Sequence, residues 1–117
     1  MTINEAITIL NAEIIQGTLN GGTLDDTELT GAYTSDLLSD VMANAREGGA
    51  LITIQAHKNT VAVASLVNIS LIVICNFRPI PEDMIPAARD EGIAIIRTRE
   101  NQFTVSGKLY EFLKTLR

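Results

Sequence analysis

His57 is the only side chain among the 117 whose ordinary pKa lies near neutrality, so general acid–base chemistry at pH 7 would fall to it first. A lone histidine at a strand end is equally a plain hydrogen-bonding group. Asp36 and Asp40 stand at i and i+4, which on a helix places both carboxylates on one face. With a third ligand from a nearby turn they could hold a metal ion, while Asp36 alone also suits the first turn of a helix. Asp36 and His57 together are the pair that a small phosphoester hydrolase would need. Cys75 closes an apolar run, the setting of a buried inert thiol more than of a nucleophile. Ser35, His57, Lys58, Asn59, Thr60 and Arg78 form a candidate binding set for a small anionic or phosphate-bearing ligand. Lys58 and Arg78 supply charge, and free N–H groups at helix starts near Ser35 and Asn59 seek anions. Helix capping by itself also explains Ser35, Asn59 and Thr60.

The longer catalytic signatures are missing. Ser106-Gly107-Lys108 is followed by Leu109 and preceded at the required distance by Gln102, so no phosphate-binding G-x-x-x-x-G-K-[ST] loop exists. G-x-G-x-x-G, G-x-S-x-G, H-E-x-x-H and Cys/His metal spacings are likewise absent. No catalytic residues, metal or cofactor are assigned, and the expectation is a protein without turnover of its own.

These residues must be positioned by the elements around them. Ile3, Ala6, Ile7 and Leu10 recur at helical spacing behind a Thr2/Glu5 capping box. Glu13 to Gln16 reads as a short strand, and Asn20-Gly21-Gly22 as a turn. A strand is expected at about Leu29 to Tyr33. A helix should follow, capped by Thr34 or Ser35, with Leu37, Leu38, Val41, Met42 and Ala45 inward and Gly48-Gly49 as its stop. The pattern then predicts a strand over Ala50 to Ile54, a helix over Asn59 to Val67 and a strand over Ile69 to Ile74. A helix starting at Pro81 and stopping at Gly92 comes next, in which Pro86 should impose a kink or a short first segment. Ile93 to Ile96 is a strand, and Thr104 to Leu116 a helix burying Val105, Leu109, Phe112, Leu113 and Leu116. Strands alternating with helices imply right-handed crossovers and a three-layer α/β/α domain with a mainly parallel central sheet, spanning residues 1–117. In such a sheet the carboxyl ends of the strands form one rim, and function is sought there.

Composition narrows the function classes. Hydrophobic residues make up 46% and charged residues 20%, which excludes disordered and low-complexity chains. Nine Lys+Arg against fourteen Asp+Glu leave a net charge of −5, adverse to nucleic acid and to anionic membranes. One cysteine cannot form an internal disulfide, the N-terminus lacks a basic segment, and the near-continuous apolar run Ile69 to Cys75 is too short to span a bilayer. A cytoplasmic protein is expected. Thr60 to Val67 is apolar or small all round, so its second side should meet another subunit across a two-fold axis, or else be roofed by the chain's own N-terminal segment.

The runs Gly31-Ala32-Tyr33-Thr34-Ser35-Asp36-Leu37-Leu38-Ser39-Asp40-Val41-Met42, Leu51-Ile52-Thr53-Ile54-Gln55-Ala56-His57, Asn59-Thr60-Val61-Ala62-Val63-Ala64 and Ser106-Gly107-Lys108-Leu109-Tyr110 make the whole chain resemble stand-alone members of the DRTGG-domain family. Related domains are regulatory modules of some phosphotransacetylases and CBS-domain pyrophosphatases, and resemble the N-terminal domain of HPr kinase. The resemblance implies a dimeric, non-catalytic regulatory or ligand-binding module that senses a nucleotide or other phosphate-bearing molecule. A protein-interaction subunit without a small ligand is the alternative, with a hydrogenase or histidine-kinase-like protein as implied partner. Where the family often has Gly-Asp-Arg, this chain has Gln55-Ala56-His57-Lys58. Where it often has a Gly-Gly pair, this chain has Cys75-Asn76-Phe77-Arg78, and Phe77 occupies space that glycines would leave to a ligand.

Overall fold

A computed structural model describes residues 1–115, which leaves Leu116 and its expected inward position outside the described residues. Helix α1, Ile3–Leu10, starts as its sequence requires: the Thr2 hydroxyl accepts from the Glu5 N–H at 3.1 Å, and the Glu5 carboxylate accepts from the Thr2 N–H at 2.7 Å. Strand β1, Glu13–Gln16, follows. Next along the chain come β2 (Ala32–Thr34), α2 (Leu38–Asn44), β3 (Ala50–Thr53), α3 (Lys58–Leu66) and β4 (Leu71–Ile74). Helix α4 (Met84–Glu91), strand β5 (Ala94–Arg97) and helix α5 (Gln102–Leu113) complete the described residues.

The sheet order is β1-β5-β4-β3-β2. Strands β2 to β5 run parallel, while β1 lies antiparallel on the outer edge of β5 with an irregular register between Ile14 and Gln16. Three layers result, as expected. On one face α1 and α5 bury Ile3, Leu10, Val105 and Leu109 against Ile52, Val73 and Ile96. On the other, α2, α3 and α4 bury Val41, Val61, Ala64 and Met84 against Leu51, Ile72 and Ile95. Apolar side chains alternating to both faces explain why β3 and β4 read as continuous apolar runs.

Several elements depart from their sequence patterns. The strand expected from Leu29 begins only at Ala32, because Leu29 is drawn into the core and its N–H bonds the Met1 carbonyl at 2.9 Å. Helix α2 is shorter than its pattern, buries Val41, and leaves Leu37 64% and Met42 49% exposed. Phe112 is 52% exposed, since one face of a helix on a narrow sheet can bury only Val105, Leu109 and Leu113. Pro86 needs no kink: α4 starts at Met84, so the proline occupies its first turn, where an N–H has no partner within the helix. The two apolar sides of α3 are explained within the chain, since α3 packs between α2 and α4 and buries Val61, Val63 and Ala64. The N-terminal helix lies on the opposite face and does not roof it.

Candidate functional site

The carboxyl ends of β2, β3 and β4 are neighbours, so the turns after them lie at one rim. Those turns carry Ser35, His57 and Arg78, and the turn at His57 leads into Lys58, Asn59 and Thr60 in the first turn of α3. In the first turn, Ser35 does not cap α2. Its hydroxyl accepts from the Leu37 N–H at 3.2 Å, and Leu37, with no side-chain cap bond, is the residue that precedes the helix. His57 is the residue that caps α3: ring Nδ1 accepts from the Asn59 N–H at 3.0 Å. Asn59 therefore uses its backbone and caps nothing. Thr60 is fully buried, and its hydroxyl donates to the Gln55 carbonyl at 2.7 Å. Lys58 and Arg78 are exposed, and among the described residues neither forms an ion pair.

Asp36 carries more structure than its sequence position suggests. One oxygen, Oδ1, accepts from the Thr53 hydroxyl at 2.9 Å, the Ile54 N–H at 2.9 Å and Gln102 Nε2 at 3.0 Å. It thereby joins the β2–α2 turn to the end of β3 and the start of α5. Asp36 precedes α2, so the shared helical face expected for Asp36 and Asp40 does not form. Asp40 instead accepts from the Tyr33 hydroxyl at 2.8 Å and from Asn44 Nδ2 at 2.9 Å. Donation by Tyr33 first, then by Ser35 and Asn44, holds its carboxyl below the usual range. No group of three potential metal-ligating side chains exists among the described residues. His57 is exposed and its Nδ1 is engaged with Asn59, Asp36 Oδ1 is engaged with Thr53, Ile54 and Gln102, and no hydrogen bond joins the two side chains. Cys75 is buried as expected. Burial, reinforced by the charges of Asp36 and Glu100, pushes its thiol up to about 12, which keeps it protonated and unreactive at neutral pH.

The rim also holds a cluster outside the six candidate residues, built from Asn76, Phe77 and the turn at Arg97 to Glu100. Asn76 and Phe77 both adopt left-handed backbone, with φ of 59° and 49°, a costly choice for residues with side chains. Their N–H groups donate to the carbonyls of Glu100 at 3.0 Å and Thr98 at 2.9 Å, which pins the β4–α4 loop onto the β5–α5 turn. In this position the Phe77 ring lies 4.0 Å from the guanidinium carbons of both Arg97 and Arg99. Arg97 also donates through Nε to Glu13 at 2.7 Å and through Nη1 to the Arg78 carbonyl at 3.2 Å. Glu100 Oε2 accepts from Lys108 Nζ at 2.6 Å, while its Oε1 is buried without a hydrogen-bond partner. The available sequence signal was the alternation Arg97-Thr98-Arg99 at a strand end, facing an aromatic residue in the neighbouring turn.

Two surface clefts are lined by none of the six candidate residues. One of 380 Å³ runs along the β2 edge and is lined by Tyr33, Arg46, Ser106 and Tyr110 among others. Another, of 370 Å³, lies between the end of α1 and the β5–α5 turn, with Leu10, Asn11, Glu13, Phe77, Arg97 and Arg99 in its wall.

With this geometry in view, one solved structure is informative. The crystal structure of the CBS and DRTGG domains of the regulatory region of Clostridium perfringens pyrophosphatase, complexed with its activator diadenosine tetraphosphate, matches 92% of this chain at a TM-score of 0.71 and 16% identity. This chain has a DRTGG-like fold. It spans 45% of the length of the chain it matches. No family model and no curated relative matches the sequence. The DRTGG-like domain contains, among its described residues, no helix long and apolar enough to cross a membrane.

Proposed function

We propose that the chain is a non-catalytic regulatory or ligand-binding module whose rim takes a nucleotide or another phosphate-bearing small molecule. Ser35, His57, Lys58, Asn59, Thr60 and Arg78 are the proposed binding residues. The observation that carries this reading is the pair of exposed cations that follow two neighbouring parallel strands, Lys58 at the start of α3 and Arg78 in the turn after β4, in a chain of net charge −5. Neither has an anionic partner among the described residues, and the helix start beside Lys58 adds positive potential. The neighbour with this fold is a regulatory region bound to a nucleotide activator, which supports the same class of role. A homodimer packed on the layer of α2 and α3 fits the apolar groups exposed there: Leu37, Met42, Ala62 and Leu66. Residues 1–117 act as one domain, and the lone buried thiol of Cys75 suits the reducing cytoplasm.

The test is a thermal-shift panel of nucleotides, dinucleotides and phosphosugars. A ligand present at about 100 times its Kd stabilises by about 2.7 kcal/mol, a rise in Tm on the order of ten degrees for a domain of this size. Arg78→Ala and Lys58→Ala should each remove the shift. One observation favours the second reading, a protein-interaction subunit without a small ligand. The Asn59 N–H and the Thr60 hydroxyl are already engaged within the chain. That reading takes precedence if no compound moves Tm at millimolar concentration.

A further inference from the structure

We propose that a phosphate-bearing anion binds one strand further along the rim, in the 370 Å³ cleft where Arg99 and Arg97 flank Phe77. This rests on the ligand class proposed above and assigns it a different site. In open α/β sheets the ligand crevice lies outside the strand ends where successive connections depart to opposite faces. The connections after β2, β3 and β4 all lead to the α2–α4 layer, whereas the connection after β5 leads to α5 on the other face. The divergence therefore falls between β4 and β5, where Asn76 to Arg78 and Thr98 to Glu100 sit, and not between β3 and β4.

Two carboxylates face this cleft, Glu13 and Glu100. Glu13 is matched by Arg97 and Glu100 by Lys108. Arg99 is exposed and has no ion pair among the described residues, so its planar fork of donors remains open to the two oxygens of a phosphate group. Arg97 donates to Glu13 and the Arg78 carbonyl through Nε and Nη1, which leaves Nη2 as its open nitrogen.

Consecutive left-handed residues at Asn76 and Phe77 are held by two backbone bonds to the β5–α5 turn, and that backbone delivers the ring against both guanidinium groups. The ring restricts the arginine side chains before any ligand arrives, so less rotamer freedom is lost on binding.

The test is an NMR titration of the full chain with inorganic pyrophosphate and, separately, ATP, each against sodium chloride at matched ionic strength. We expect saturable shifts of the Arg99 and Arg97 Nε–H signals and of the Phe77 and Thr98 amides. Arg99→Ala should weaken binding about tenfold or more, because a charge-assisted bond to the ligand is lost. Arg99→Lys keeps the charge without the fork and should recover only part of it. Arg89→Ala, an exposed cation in the last turn of α4, controls for net charge and should bind as the parent does. Shifts confined to Lys58, Asn59 and Thr60, abolished by Lys58→Ala and untouched by Arg99→Ala, would overturn this proposal and leave the earlier one standing. An absence of saturable shifts with either probe would overturn this proposal, whereas the earlier one falls only if the whole thermal-shift panel is also silent. Saturation by ATP and not by pyrophosphate would identify a nucleotide as the source of the phosphate.

Discussion

Replacing Asp36 by alanine tests whether one carboxylate oxygen holds the rim together. Three donors converge on Oδ1 from Thr53 at the end of β3, Ile54 just after it and Gln102 at the start of α5, two of them at 2.9 Å and one at 3.0 Å. Thr53 is fully buried and Ile54 half-buried, so two of the three cannot turn freely to water once the acceptor is gone. At about 1 kcal/mol for each bond, Asp36→Ala should destabilise by about 3 kcal/mol. For a domain of this size, about 4 °C per kcal/mol converts this to a fall in Tm of about 12 °C. Asp36→Asn keeps an oxygen in place for the same donors and should lose about a third as much. Thermal unfolding followed by circular dichroism reads both, and urea unfolding at 25 °C gives the free energies directly. A fall of less than about 3 °C for Asp36→Ala would refute the argument, since it would mean that the donors find other partners at no cost. Equal losses in the two variants would refute it differently, by showing that charge and not acceptor geometry holds the turns.

Other measurements follow from the same structure. His57→Ala removes the Nδ1 cap of α3 and should cost about 1 kcal/mol, or about 4 °C in Tm, with the fold intact by circular dichroism. The folded chain keeps the Cys75 proton to about pH 12, while the unfolded chain loses it near 9.0. Above pH 9 the unfolded state thus binds fewer protons, so stability should fall as pH rises through this window, and Cys75→Ala should flatten that slope. Iodoacetamide at pH 8 should label Cys75 only after unfolding. Leu66 is 69% exposed, so Leu66→Glu should leave monomer stability unchanged and convert a homodimer to monomer by light scattering. Ala64→Glu cannot serve this purpose, because Ala64 is fully buried in its own chain and the charge would unfold the domain.

Local chemistry made part of this protein legible from its residues alone. The Thr2/Glu5 capping box, the helical spacing of Ile3, Ala6 and Leu10, and the stop at Gly92 each depend on groups within one or two turns of each other. The α/β alternation follows from the same short-range patterns, and with it the parallel sheet and the rim where Ser35, His57 and Arg78 lie. Short-range pattern does not report which layer a helix joins. Only tertiary packing placed α5 beside α1, buried Val61 and Val63 within the chain, left Phe112 in water, and paired β1 with β5 across some eighty residues. The same holds for the hydrogen-bonded and charged groups at the rim. Asp36 reads as a helix-turn acid or a metal ligand until Thr53 and Gln102 are brought to it, and Arg99 reads as one more surface cation until Phe77 folds beneath it. Such contacts join residues distant in sequence, and their geometry exists only once the sheet between them has formed.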